Sequence, residues 1–194
     1  MFHYRLPTQI FFDTPAAEKV SELVGKRRAV LVCSAGFVKR NSDDAFRVAL
    51  GKSLVGVASG VASNPSVRSV CSLADEVAEQ RPDVLIAVGG GSVIDAAKGI
   101  AAVFSEECRQ ADQLLNLLRD GGKLTAESVL PVISVPTTSG TGSEVTSFAT
   151  IWDDENHKKY SLDGPHNAPE SAVLDPALTL SLPESDTVST GLDA

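Results

Sequence analysis

The chain has 194 residues, 43% of them hydrophobic, and a formal net charge of −8. That is enough for one α/β domain with a proper core, or one domain plus a fragment of another. The acidic balance argues against a nucleic-acid or anionic-membrane partner, which needs a basic face, and no apolar run reaches the length of a membrane span.

The N-terminus, MFHYRLPTQIFF, lacks a charged-then-apolar leader layout. Residues 9–12 then form a short apolar run after Pro7, read as a strand. Residues 15–24 read as a helix with Pro15 in its first turn and Gly25 as its stop. A second apolar strand covers 28–34 (RAVLVCS), followed by a short helix over 43–50 and a third strand over 54–58 (LVGVA). Residues 66–80 are an amphipathic helix, with Val67, Val70, Cys71, Ala74, Val77 and Ala78 on one face. A strand over 83–88 and a helix starting at Ser92 come next, then a helix over 112–118 closed by Gly121 and Gly122. Residues 129–135 are a strand interrupted by Pro131. Residues 147–153 and 158–162 read as a hairpin around 154–156, and 171–175 as a further strand. Short helical turns start at Asp175-Pro176 and Pro183, and residues 187–194 are mildly helical. This alternation predicts an α/β fold, a Rossmann-like parallel sheet with helices on both faces and right-handed crossovers, plus a β-hairpin.

The most informative stretch is 82–104, PDVLIAVGGGSVIDAAKGIAAVF. An apolar run suited to a strand buried on both faces leads into Gly89, Gly90 and Gly91. Val93, Ile94, Ala97, Ile100, Ala101 and Phe104 then recur at helical spacing, with Ser92 as the expected N-cap and Asp95 in the first turn. Strand, glycine run and helix start is how a backbone approaches a phosphate: the helix end offers free N–H groups, and glycine lets the anion come close. A plain tight turn is the competing reading. The run is neither GxGxxG nor a Walker A loop. Residues 136–146, PTTSGTGSEVT, form a second hydroxyl- and glycine-rich loop at a strand end, suited to donating hydrogen bonds to a ligand. Cys33, Cys71 and Cys108 are widely spaced with no CxxC, which fits reduced thiols in a cytoplasmic protein. Cys33 and Cys71 sit in apolar-patterned elements and read as core residues.

These pieces together closely resemble the iron-containing (group III) alcohol dehydrogenases, in the same broad fold group as glycerol dehydrogenase and dehydroquinate synthase. The matching pieces are Asn64-Pro65, GGGSVIDAAK at 89–98, PTTSGTGSEVT at 136–146, Lys159, Asp175-Pro176, Leu182-Pro183 and TGLDA at 190–194. The resemblance implies an NAD(P)-binding N-terminal half, a helical C-terminal half and a homodimer. It assigns residues 1–183 to the dinucleotide-binding domain and 184–194 to the first residues of a truncated helical metal/substrate domain. It implies hydride transfer between nicotinamide C4 and the carbon of an alcohol or aldehyde substrate, with Fe2+ or Zn2+ polarising the substrate oxygen.

The resemblance places the pyrophosphate on Gly90, Gly91 and Ser92, and Thr137, Thr138 and Ser143 near the adenine, ribose and nicotinamide. Ser34, Asn64, Asp95, Thr141 and Lys159 complete the implied cofactor set. For Asp95, pairing with Lys98 on the same helix is at least as good a reading. Asp193 matches the first metal ligand; the partner histidines expected further on have no counterpart in His3, His157 or His166. Ser34 stands where NAD-preferring members carry an acid, with Lys39 and Arg40 shortly after, so NADP(H) is expected to be accepted. Two alternatives remain: a dehydroquinate-synthase-like lyase, and a nucleotide-binding module without chemistry. The 147–153 and 158–163 segments also resemble the phosphonoacetaldehyde reductase branch.

Overall fold

The computed structural model describes residues 6–127 and 129–194. Its elements in chain order are β1 (Gln9–Phe12), α1 (Ala16–Val24), β2 (Ala29–Val32), α2 (Ala35–Lys39), α3 (Asp44–Leu50), β3 (Leu54–Ala58), α4 (Val67–Gln80), β4 (Val84–Gly89), α5 (Gly91–Ser105), α6 (Ala111–Arg119), β5 (Val132–Pro136), β6 (Ala149–Asp153), β7 (Lys158–Leu162), β8 (Ser171–Leu174) and α7 (Glu184–Asp193). Six strands form one sheet in the order β1-β8-β5-β4-β2-β3, and every pairing in it is parallel. β6 and β7 form the expected antiparallel hairpin.

From β2 the chain steps outward to β3, then returns across β2 to β4 and continues the other way to β5. The order therefore reverses between β2 and β4, and a crevice opens there beyond the strands' carboxyl ends. Every residue of β4 is buried, as its unbroken apolar run requires of a central parallel strand. One core lies under α4, α5, α6 and the hairpin; the other lies under α1, α2 and α3 on the opposite face.

α5 is enclosed more fully than an ordinary surface helix. Val93, Ile94 and all of 96–103 are buried. Small residues make this possible: a Cβ built on Gly99 would lie 3.1 Å from both Ile151 Cδ1 of β6 and Val70 Cγ1 of α4. α5 is thus held between the main sheet, α4 and the hairpin.

Several boundaries differ from the sequence reading. α5 begins at Gly91 with Gly90 as its N-cap, so Ser92 is not the cap but sits within the first turn. α2 was not expected; Ser34 caps it, accepting from Phe37 N–H at 3.3 Å. β5 starts only after Pro131, which has no N–H to give the ladder and contributes its carbonyl to Leu85 instead. α7 forms without burying any residue.

Candidate functional site

At the point where the strand order reverses lies a cavity of about 250 Å³. Ser34 from the end of β2, Val61 to Ser63 after β3, 88–93 from β4 into α5, and Thr137 after β5 line it. The glycine turn forms its floor. A Cβ on Gly89 would lie 2.5 Å from Val93 Cγ2, so this position has no room for a side chain. Thr137 N–H donates to the Gly89 carbonyl at 3.0 Å, tying the next strand end to the turn. Among the described residues no side chain caps the start of α5. The first N–H groups of the helix, at Gly91 and Ser92, therefore meet the cavity with partial positive charge and no capping oxygen, which is the requirement of an anion. Ser92 Oγ accepts from Asn64 N–H at 3.2 Å, and Asn64 holds a left-handed turn with φ 56°. Asn64 thus braces the turn through its backbone.

Arg40 lines this cavity together with Ser34. A Cβ built on Gly36 would lie 3.3 Å from Arg40 Nη1 and 3.9 Å from Ser34 Oγ, so the guanidinium folds back over the turn that Ser34 begins. A second cavity, about 520 Å³, shares Phe37, Arg40 and Thr137 and adds Leu178 and Leu182. The pair offers bare N–H groups, one guanidinium and apolar walls, which suits a phosphate-bearing ligand with a flat apolar end.

The 136–146 loop closes over the same turn. A Cβ on Gly90 would meet Thr138 Oγ1 at 3.0 Å, and one on Gly91 would meet Thr141 Oγ1 at 2.7 Å. The structure therefore brings Thr137, Thr138 and Thr141 to the glycines. Ser143 and Asp95 behave differently. Ser143 is 4% exposed, and its hydroxyl donates to Asp95 Oδ1. The other Asp95 oxygen accepts from Thr150 N–H at 3.0 Å. Both residues are turned into the protein by these bonds. Burial raises the Asp95 pKa, and the bonds from Ser143 and Thr150 and the charge of Lys98 oppose that shift.

Lys98 is fully buried. Its ammonium donates to the carbonyls of Ser143 at 2.6 Å, Thr146 at 2.8 Å and Phe148 at 2.8 Å, and to Ser143 Oγ at 3.2 Å. Asp95 and Lys98 thus meet through Ser143 and the loop backbone, and no direct ion pair joins them among the described residues. Burial pushes the Lys98 ammonium down to about 8, while Asp95 and Glu144 hold it up. The sequence did carry a sign of this role: a cation on an apolar helix face between Ile94 and Ala101.

Lys159 does not reach the glycine cavity. Its Nζ lies 4.8 Å from the centre of the Trp152 ring, its cross-strand partner in the hairpin, where the cation gains a π face. Asp193, near the end of α7, is exposed. Gly140 lets α7 come close: a Cβ there would be 2.8 Å from the Thr190 carbonyl and 3.5 Å from Asp193 Oδ2. Asp193 therefore sits beside the loop. Among the described residues no group of three or more His, Cys, Asp or Glu is placed to hold a metal ion. One carboxylate does not fit a divalent site. His157 and His166 are exposed, and His3 falls outside the described residues. All three cysteines are buried and free.

Residues 7–176 match the family described as iron-containing alcohol dehydrogenase. A 4-hydroxybutyrate dehydrogenase of Cupriavidus necator is 39% identical over 173 residues, 89% of this chain and 44% of its own length. A phosphonoacetaldehyde reductase of Streptomyces viridochromogenes is 42% identical over 115 residues, 59% of this chain and 29% of its own. Sulfoacetaldehyde reductase from Bifidobacterium kashiwanohense, solved in complex with NAD+, superposes with a TM-score of 0.86 at 28% identity, covering 100% of this chain and 51% of that one. The chain thus spans about half the length of that solved structure.

Proposed function

The chain belongs to the iron-containing alcohol dehydrogenase family, and from that premise we propose that it holds the nicotinamide cofactor of an oxidoreductase acting on a small alcohol or aldehyde. The carrying observation is the uncapped start of α5 opening into a cavity at the sheet's switch point. Gly90, Gly91 and Ser92 hold the pyrophosphate on backbone N–H groups. Thr137, Thr138 and Thr141 contact the cofactor from above, and Phe37 and Leu178 form the apolar walls for its adenine. NAD(P)H, when bound, supplies a hydride from nicotinamide C4. The residues of this chain bind that carrier, orient it and cover its phosphates from water. Ser143 and Asp95, expected at the cofactor, act from behind by holding the loop.

Ser34 puts no negative charge at the end of β2, and Arg40 lies over the same turn. This favours NADP(H), whose 2′-phosphate a guanidinium can grip and a carboxylate would repel. α7 (Glu184–Asp193) is the start of a metal/substrate domain, and Asp193 would supply one ligand of a metal site whose other ligands are not among the described residues. The substrate class extends to phosphonoacetaldehyde, the aldehyde named for one relative. A cytoplasmic homodimer is supported by the buried free thiols and by the edge strand β1, which leaves Ile10 and Phe12 exposed. Among the described residues no helix is long and apolar enough to cross a membrane.

The test is calorimetric titration of the chain with NADPH and NADH. Both should bind, NADPH at least as tightly, and Ser34→Asp should move the preference toward NADH by about tenfold. A chain that binds neither, or a Ser34→Asp variant with unmoved preference, refutes the corresponding part.

A further inference from the structure

The loop that covers the glycine turn has few apolar residues to hold it down. Between Thr137 and Phe148 the only large apolar side chains are Val145 and Phe148, and Phe148 is 55% exposed. Hydrophobic burial therefore does not fix its shape. Polar bonds fix it instead: Ser134 donates to the Glu144 carbonyl, Ser143 to Asp95, Ser147 to Asp163 and Asn167 to the Ser147 carbonyl, but the largest share comes from one buried cation. Lys98 lies about two turns along α5 from the helix start. Its three carbonyl acceptors come from Ser143, Thr146 and Phe148, so one ammonium gathers the loop's second half into a single turn. From Ser143 the connection continues toward the ligand. Ser143 N–H donates to Thr141 Oγ1 at 3.3 Å, and Thr141 stands over Gly91. The helix that presents the anion-binding N–H groups thus also carries the post to which the covering loop is tied.

We propose that Lys98 is a positioning residue for cofactor binding: its ammonium folds the 137–148 loop into the form that seats Thr138 and Thr141 against the glycine turn. This rests on the cofactor reading above. A backbone carbonyl can only accept, so three carbonyls converging on one nitrogen need three N–H donors from it and favour ammonium over amine. An amine offers two donors and turns a lone pair toward the remaining oxygens. The charges facing Lys98 are Asp95, on its own helix, and Glu144, on the loop; both favour the ammonium, and burial disfavours it. Loss of the proton leaves the loop under-tied while the rest of the fold keeps its two cores.

The experiment measures NADPH affinity of the chain and of Lys98→Met by calorimetry from about pH 7 to about pH 9, with circular dichroism as the fold control. The wild type should weaken by about fivefold or more across that range as the ammonium is lost. Lys98→Met should bind about tenfold more weakly at neutral pH, and its affinity should not change with pH. A folded Lys98→Met variant that binds as tightly as the wild type overturns the proposal. Should that variant not fold, the wild-type profile decides: a flat profile overturns the proposal, and a falling one sustains it. A wild type that binds no dinucleotide at any pH overturns the cofactor reading itself, and this proposal with it.

Discussion

Replacing Gly90 by alanine should separate ligand binding from folding. Gly90 has φ −77° and ψ −175°, extended backbone that any residue adopts, so the substitution adds no backbone strain. The new methyl would sit 3.0 Å from Thr138 Oγ1 and 3.6 Å from Thr138 Cγ2. Those atoms are the tip of a rotatable side chain, so relief costs about 1 kcal/mol or less. Under the phosphate assignment, the methyl and the Thr138 side chain it displaces crowd the anion at the glycine turn. A hydrogen bond to a charged group contributes about 1.5–3 kcal/mol. Losing one therefore weakens binding by about 10- to 150-fold. Gly51→Ala is the converse control. Gly51 has φ +51° with nothing within 4 Å of a built Cβ. With ψ −121° this backbone lies outside the ordinary left-handed well, so alanine there costs about 1–3 kcal/mol of stability and should leave affinity untouched. The assay is thermal unfolding and calorimetric titration of both variants with NADPH. A folded Gly90→Ala variant with wild-type affinity would refute the phosphate assignment.

Two further outcomes follow from the charged groups. The folded Lys98 pKa, about 8, lies below its ordinary 10.5, so between those values the unfolded chain binds the extra proton and stability rises with pH. The gain from about pH 7 to about pH 9 is about 1 kcal/mol; above that the buried Cys33 and Cys71 thiols, raised from 9.0 to about 11, reverse the trend because the unfolded chain loses those protons first. Denaturant melts of wild type and Lys98→Met should therefore diverge between those pH values, and parallel curves would contradict the burial of a charged Lys98. Elemental analysis after loading with iron or zinc and gel filtration should find well under about one metal per chain, since Asp193 alone cannot hold the ion; near one metal per chain would show that Asp193 has partners in this chain.

The parallel strands were legible because their runs of Val, Ile and Leu are local signals, and β2, β4 and β5 fall within or close to those runs. The glycine turn was legible for the same reason. What local pattern cannot give is the direction a polar side chain takes once the sheet has closed. Ser143 and Asp95 carry ligand-type chemistry, yet the hairpin and the loop turn both inward, where Thr150 and Lys98 satisfy them. Lys159 was assigned by motif alone, and its β7 register sets it beside Trp152. Ser92 looked like a cap because serine usually is one; the extended Gly90 starts the helix earlier and leaves the cap position without an oxygen. Arg40 was noted only as a nearby charge, since its approach to Ser34 depends on the unforeseen α2 turning back over Gly36.

The enclosure of α5 sets how the site can respond to what enters it. A helix gripped by the main sheet, by α4 at Val70 and by β6 at Ile151 has no room to slide or tilt. Its N-terminal dipoles are aimed before any ligand arrives, so binding an anion there calls for little reorganisation of the protein. Adjustment must come from the opposite wall, formed by the short α2 and the 176–183 segment. Cofactors that differ at the adenine ribose should therefore be told apart by moving parts, while all of them present their phosphates to the same immobile end of the site.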